Sequence, residues 1–295
     1  MRLAVFTHVM HKFSDADYFA YGPYVREMNL WFRNFDLIEV VAPVTTISHH
    51  PIDLPYGKAI ILSKTRSFEL TSFKASFRAI GSMPFNIYQI VKVMRRADHI
   101  HLRCPGNIGL LACVVQIFFP RKRKTAKYAG NWDPESHQPW SYKLQRWILS
   151  NTFLTRNMQV LVYGNWEGQS ANIKPFFTAT YRVSDKAQIP PRTLGGAVKL
   201  MFAGTLSSNK QPLYAVQLLQ ELQEQGVEAS LEIFGDGELK KAVTNYIRDN
   251  NLTNTVRLNG NRASAEIAEA YRESHFLILP SKSEGWPKVV AEAMF

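Results

Sequence analysis

The chain has 295 residues, 46% of them apolar and 20% charged. That is enough apolar material for about two domain cores and too balanced a mixture for a disordered or collagen-like protein. Its two cysteines, Cys104 and Cys113, have no CxxC spacing, which argues against a zinc or disulfide framework and predicts a reducing, cytosolic compartment. The net charge of +11 is unevenly placed: residues 1–190 hold 24 Lys+Arg and 12 Asp+Glu, giving +12, and residues 191–295 hold 11 and 12, giving −1.

Met1-Arg-Leu-Ala-Val-Phe-Thr-His8 reads as a first strand, Leu3–His8, and not as a signal peptide, because its apolar run is short and no cleavage pattern follows. The segment His8–Gly22 reads as a polar, aromatic-rich loop. His8 and His11 within it are weighed as structural histidines, with the binding of ligand hydroxyls as the alternative. An Asp-x-Asp pair, Asp15-Ala-Asp17, is a formal metal candidate; it lies very early in the chain, and no metal is expected. A helix is predicted over 23–35, then strands Leu37–Val41 and Ala59–Ser63, a helix over 87–96 and strand His99–Arg103. The twelve-residue apolar segment Ile108–Phe119 is a helix too short to span a membrane. Arg121-Lys-Arg-Lys124 follows it, and is either a solvated turn or a basic face for anionic lipid head groups or a pyrophosphate-linked acceptor. Without interleaved aromatics or a zinc pattern, nucleic acid is set aside. Strand Thr125–Ala129, a helix over 140–151 and strand Val160–Tyr163 complete a first doubly wound unit. Ser184–Gly196, with Pro190, Pro191, Gly195 and Gly196, predicts a boundary between domains 1–190 and 191–295.

The second part repeats one unit of strand, glycine loop and helix. Val198–Ala203 leads to Gly204 and a helix over 212–225. Ala229–Phe234 leads to Gly235-Asp-Gly237 and a helix over 238–250, and Val256–Asn259 to Gly260 and a helix over 265–273. This alternation predicts right-handed crossovers and a parallel sheet with its glycine loops at one edge. In Gly204-Thr205-Leu-Ser-Ser-Asn-Lys210, the lysine sits beside a helix start, where backbone amides favour an anion such as a diphosphate. Phe276–Pro280 is a last short strand. It runs through Ser281 to Glu284-Gly285-Trp286-Pro287 and a helix bearing Glu292; Pro287 suits the first helical position and leaves Glu284 in the loop.

Glu284-Gly-Trp-Pro-Lys-Val-Val-Ala-Glu292-Ala-Met resembles the signature of the retaining nucleotide-sugar glycosyltransferase family 4. The likeness is strong over residues 196–295 and loose elsewhere. It implies an α/β fold of the GT-B class, two Rossmann-like domains facing across a cleft, with the second incomplete. It places Glu284 on the transferred sugar, Lys210 on the diphosphate, Glu292 on the ribose, and Gly204, Thr205, Gly235, Gly285, Trp286 and Gly22 around the donor. Thr205 stands where family members carry an arginine, so Arg262 or Lys282 is expected to compensate. Asn131 or Asp133 stands where a histidine is usual.

The resemblance implies a metal-independent retaining transferase that moves a hexose from a nucleotide-diphosphate sugar to a saccharide or lipid-linked acceptor in surface polysaccharide synthesis. No cofactor beyond the donor substrate is implied. A sugar-nucleotide epimerase of similar build and a non-catalytic nucleotide-sugar-binding fragment are the alternatives. A cytoplasmic location follows, with the basic first domain in peripheral contact with the inner membrane face. The family continues past the position of Phe295, so the chain is expected to be a truncated reading that binds donor weakly.

Overall fold

The computed structural model describes residues 1–14, 17–47, 50, 52–66, 73–133, 135–136, 138–177 and 194–294, with the side chains of 73–80 excepted. The chain divides into two compact units, residues 1–177 and 178–295. Most of the expected linker, residues 184–193, lies outside the described residues, as does Asp15 of the Asp-x-Asp pair.

The first unit contains strands β1 (Arg2–Phe6), β2 (His11–Ser14), β3 (Asp17–Tyr21), β4 (Leu37–Thr45), β5 (Asp53–Pro55), β6 (Ile61–Thr65), β7 (His99–Cys104), β8 (Arg123–Tyr128), β9 (Met158–Val162) and β10 (Ile173–Pro175). Its helices are α1 (Gly22–Phe32), α2 (Phe73–Arg96), α3 (Asn107–Val115) and α4 (Trp140–Ser150). Leu3, Ala4, Val5 and Phe6 are all fully buried, as a strand covered on both faces requires. The parallel strands lie in the order β6-β4-β1-β7-β8-β9-β10. The winding reverses between β1 and β7, and that is the switch point of a dinucleotide-fold sheet. One face packs Phe6, Ile90, Met94, Ala112, Ile148 and Trp132; the other packs Leu3, Tyr24, Met28, Phe32 and Val40.

At the carboxyl ends of β7 and β8, Arg103 and Lys127 are register partners and both pair with the Glu27 carboxylate of α1, each at 2.8 Å. Lys127, 1% exposed, also lies 4.5 Å from the Phe176 ring. One carboxylate thus faces two buried cations, an arrangement that depends on every partner staying in place.

Three expectations are corrected. The segment His8–Gly22 is not a plain loop: β2 and β3 form an antiparallel hairpin whose second strand pairs with β5, because Phe13, Tyr18 and Phe19 alternate too briefly to register as strands by pattern alone. The helix expected from Ile87 begins at Phe73 and runs through Pro84; a proline usually marks a boundary, and here helix lies on both sides of it. Residues 108–119 are α3 followed by a 3-10 turn, Gln116–Phe118.

The second unit contains β11 (Val198–Ala203), β12 (Ala229–Phe234), β13 (Val256–Gly260) and β14 (Phe276–Leu277), with α5 (Pro212–Glu224), α6 (Lys240–Asp249), α7 (Ser264–Glu273) and α8 (Lys288–Ala293). All pairs are parallel, in the order β13-β12-β11-β14. The strands expected over 198–203 and 229–234 are found with those bounds. α5 and α6 cover one face through Leu219, Val243 and Ile247; α7 and α8 cover the other through Ala270, Tyr271, Val289 and Ala293. The loops after β11 and β12 are in backbone contact: Leu206 N–H donates to Asp236 O at 3.0 Å and Leu239 N–H to Leu206 O at 2.9 Å. A Cβ at Gly235, whose φ is +136°, would lie 1.9 Å from the Gly204 carbonyl oxygen, and one at Gly237 would lie 2.6 Å from that of Leu206.

Two outcomes follow. His11 and His101 are fully buried, and burial lowers their pKa values to about 4 and about 3. The unfolded chain, with histidines near pH 6.5, therefore takes up protons before the folded one. Stability is complete above about pH 6.5 and falls as the pH drops towards about 4 for His11 and about 3 for His101, by roughly 3 to 5 kcal/mol per histidine at the acid limit. Denaturant titrations across that window should show the slope, and His11→Gln should flatten it; an unchanged slope in the variant contradicts the assignment. Second, Gly235→Ala should lower the urea midpoint more than Gly226→Ala. Both positions have positive φ, but only Gly235 has backbone in the way, which adds about 1–3 kcal/mol of overpacking. Equal midpoints would show that the two loops do not meet.

Candidate functional site

In an open parallel sheet, ligands sit beyond the carboxyl ends of the strands where the winding reverses. In the second unit the reversal falls between β11 and β14. The loop leaving β11 carries Gly204, Thr205, Asn209 and Lys210, and the loop leaving β14 carries Ser281, Lys282, Glu284, Gly285 and Trp286. The structure fastens the two together. Lys282 N–H donates to the Asn209 carbonyl at 2.8 Å, Asn209 Nδ2 donates to the Ser283 carbonyl at 2.9 Å, and the Lys210 ammonium pairs with the Glu284 carboxylate.

The Lys210 and Glu284 side chains are 22% and 21% exposed, so the pair is half-submerged at the edge of the crevice. Lys210 precedes α5 and stands where the helix's first amides and positive end lie. The left-handed Gln211 (φ 49°) and Pro212 start that helix, and the Lys210 and Gln211 N–H groups both donate to Ser207 O at 3.1 Å, which closes the loop tightly. The Ser281 hydroxyl is buried and has no hydrogen-bond partner among the described residues.

Lys210 and Glu284, 74 residues apart in the chain, are therefore brought into contact. Glu292, inside α8 as expected, is held separately: its Oε2 accepts from the Tyr271 hydroxyl of α7 at 3.3 Å. Gly204 and Gly235 meet through backbone, as described above. Gly22 opens α1 in the first unit, and the space a side chain would take is filled by the Ile52 carbonyl oxygen, 2.4 Å from a Cβ there; that contact alone demands glycine. Arg262 follows β13, two strands from β11, and is engaged by Asn259 O and Glu266. Lys282 follows β14, adjacent to β11, and its side chain is exposed.

Of the histidines weighed, His11 is structural. Its Nδ1 meets Val9 O at 2.8 Å and its Nε2 meets the Tyr56 hydroxyl at 2.6 Å. His8 lies at the first unit's switch point, where its Nδ1 is 2.4 Å from a Cβ built on Gly106; burial and the nearby Arg103 charge lower its pKa. Asn131 Oδ1 accepts from Asp133 N–H and Asp133 Oδ1 from Glu135 N–H, both at 2.9 Å. Those side chains shape their own loop. Among the described residues no cluster of three His, Cys, Asp or Glu could hold a metal ion.

Sequence reasoning missed two residues. Asn209 joins the two loops, and the only signal for it was its place beside Lys210. Tyr271 holds Glu292; its spacing from Ile267 marks it as a core position on α7, with nothing to show that its hydroxyl meets a carboxylate.

Residues 186–295 match the family model for glycosyl transferases group 1. A segment of 68 residues is 35% identical to an uncharacterized glycosyltransferase of Methanocaldococcus jannaschii, covering 23% of this chain and 19% of that relative. The apo lipopolysaccharide outer core galactosyltransferase WaaB aligns with all of this chain and 78% of its own, at a TM-score of 0.61 and 16% identity. The Anabaena protein HepE in complex with UDP and glucose covers 99% of this chain and 77% of its own, at a TM-score of 0.63 and 13% identity. Residues 186–295 are thus similar to the glycosyl transferases group 1 family, on a chain that has the GT-B fold.

Proposed function

We propose that the protein is a retaining glycosyltransferase that moves a hexose from a nucleoside-diphosphate sugar, without a metal, to a saccharide or lipid-linked acceptor of surface polysaccharide. The observation that carries this reading is the contact of Lys210 with Glu284 across the second unit's switch point. The complex of HepE with UDP and glucose is a further support.

Lys210 has three N–H donors. With one on Glu284, two remain for oxygens of the donor's diphosphate, whose other neighbours are the first amides of α5. Glu284 then stands between the phosphate-binding amine and the transferred sugar, where its second oxygen accepts from a sugar hydroxyl. Glu292, steadied by Tyr271, accepts from the ribose. The Ser281 hydroxyl gains a partner when a ligand oxygen enters the crevice, which removes the cost of an unsatisfied buried hydroxyl. Because Thr205 supplies no cation, Lys282 is the compensating charge: its loop is already fixed to Asn209, whereas Arg262 is two strands away and held by Glu266. Charge developing on the departing phosphate is stabilised by groups in place before the reaction, which is where most transfer catalysis lies.

The test uses calorimetry with UDP and release of free UDP from UDP-glucose, with and without an acceptor saccharide. Lys210→Ala should weaken UDP binding by about tenfold or more, the scale of a lost charge-assisted contact. Glu284→Ala should leave UDP binding within a few-fold and abolish acceptor-dependent release. Normal release by Glu284→Ala would overturn the proposal, and UDP binding indifferent to Lys210 would remove the diphosphate from this crevice.

A further inference from the structure

Asn209 lies in the turn before α5, and that turn closes without its side chain, since Ser207 O takes the Lys210 and Gln211 N–H groups. Its polar groups go to the loop that leaves β14. Ile278 N–H still donates to Met201 O at 2.7 Å; farther along, Lys282 N–H donates to Asn209 O at 2.8 Å, and Asn209 Nδ2 donates to Ser283 O at 2.9 Å. Two successive residues of that loop are thus fixed to one residue across the switch point.

A peptide group is planar, so the direction of a carbonyl fixes the plane in which the following Cα lies. The Asn209 carbonyl leads into Lys210, and the Ser283 carbonyl leads into Glu284. The two bonds of Asn209 therefore orient the two peptide planes from which the paired ammonium and carboxylate grow. The Lys210 side is also braced by Ser207 O and by the close approach at Gly235. Glu284 has less behind it: it follows a two-residue strand and precedes the six-residue α8, so little regular structure holds its backbone. The residue type suits the task, because a carboxamide offers an N–H donor without a charge. An ionised aspartate would set a carboxylate against the Ser283 carbonyl, and a leucine of the same shape has no donor. Asn209 is exposed, where loss of one hydrogen bond changes stability little, so what the bond controls is geometry.

We propose that Asn209 is a positioning residue for glycosyl transfer: its carboxamide touches neither donor nor acceptor, and acts by turning the Ser283–Glu284 peptide so that the Glu284 carboxylate faces the transferred sugar. This rests on the role proposed above for Glu284. A group displaced by about 1 Å can slow a reaction by about a hundredfold. The diphosphate is held by Lys210 and the first amides of α5, which the Asn209 side chain does not support, so the loss falls on turnover and not on nucleotide binding.

The test measures acceptor-dependent UDP release from UDP-glucose on the full chain, with UDP calorimetry and thermal unfolding alongside. Asn209→Leu, which keeps the shape and removes the donor, should lower kcat by about ten- to a hundredfold, with KM for UDP-glucose, UDP affinity and the thermal midpoint close to the parent's. On the residual turnover of Glu284→Gln, adding Asn209→Leu should cost little more, because residues that act as a unit are not additive. A parental kcat in Asn209→Leu, a loss carried by KM or UDP affinity, or full additivity with Glu284→Gln would each overturn the inference. The two levels separate through Glu284→Ala: release retained there fells the role of Glu284 and this inference with it, whereas release abolished there but parental in Asn209→Leu fells the inference alone.

Discussion

The site in the second unit rests on one close backbone approach. The loop leaving β11 and the loop leaving β12 pass so near each other that the Gly204 carbonyl oxygen occupies the volume a side chain at position 235 would need. Only glycine has no Cβ to clash there and tolerates the positive φ that the turn imposes. This contact fixes the course of residues 204–206, and two hydrogen bonds between Leu206 and the following loop extend it. From there the chain reaches Ser207, whose carbonyl takes two N–H groups, and then Lys210. The position of the amine is thus set by backbone geometry several residues earlier, and its own side chain needs little further support.

On the other side of the crevice the same loop is held by Asn209, which receives Lys282 N–H on its carbonyl and gives its amide to Ser283. β14 contributes only two residues to the sheet, too few to define by itself how the following loop leaves. The Asn209 bridge supplies what the short strand lacks. Glu284 then meets Lys210 because both ends of the crevice are anchored, which is the kind of support that a precisely placed polar group needs.

Much of this was legible in the sequence. β11 and β12, the alternation of strand and helix, and the glycines after β11 and β12 follow from periodicity and turn chemistry, and the release of the Glu284 loop at the same sheet edge as the β11 loop follows from where parallel strands must end. What was not legible was nonlocal. Strand order determines that β14 lies against β11 and not against β13, and no pattern inside 276–280 encodes a neighbour 76 residues away, the separation of Phe276 from Leu200. The hairpin at residues 11–21 escaped because its strands alternate over only four or five residues. Lys124 falls in a cluster that reads as a solvated turn or a basic face, and Lys127 in a predicted strand, yet one is turned onto Gln116 and the other is buried against Glu27, an α1 residue that helical spacing placed without showing its partners. Buried charge is invisible to composition because its compensation comes from elsewhere in the chain.

The two units handle positive charge in opposite ways, and this bears on how an anionic donor would be held. In the first unit Arg103 and Lys127 outnumber the one carboxylate they meet, but they are shut inside, where they act on packing and on the pKa values of His8 and His101. In the second unit Lys210 and Glu284 cancel, and Thr205 adds nothing, so a diphosphate entering the crevice would leave it with net negative charge unless another cation followed. The α5 amino end offers only a fraction of an elementary charge. Lys282 is the one lysine on the loop already tied to Asn209, and its ammonium stands on a long flexible stem that can turn inward with little change in backbone. The charge balance of the proposed donor complex therefore depends on a residue whose backbone is fixed before binding and whose side chain is not.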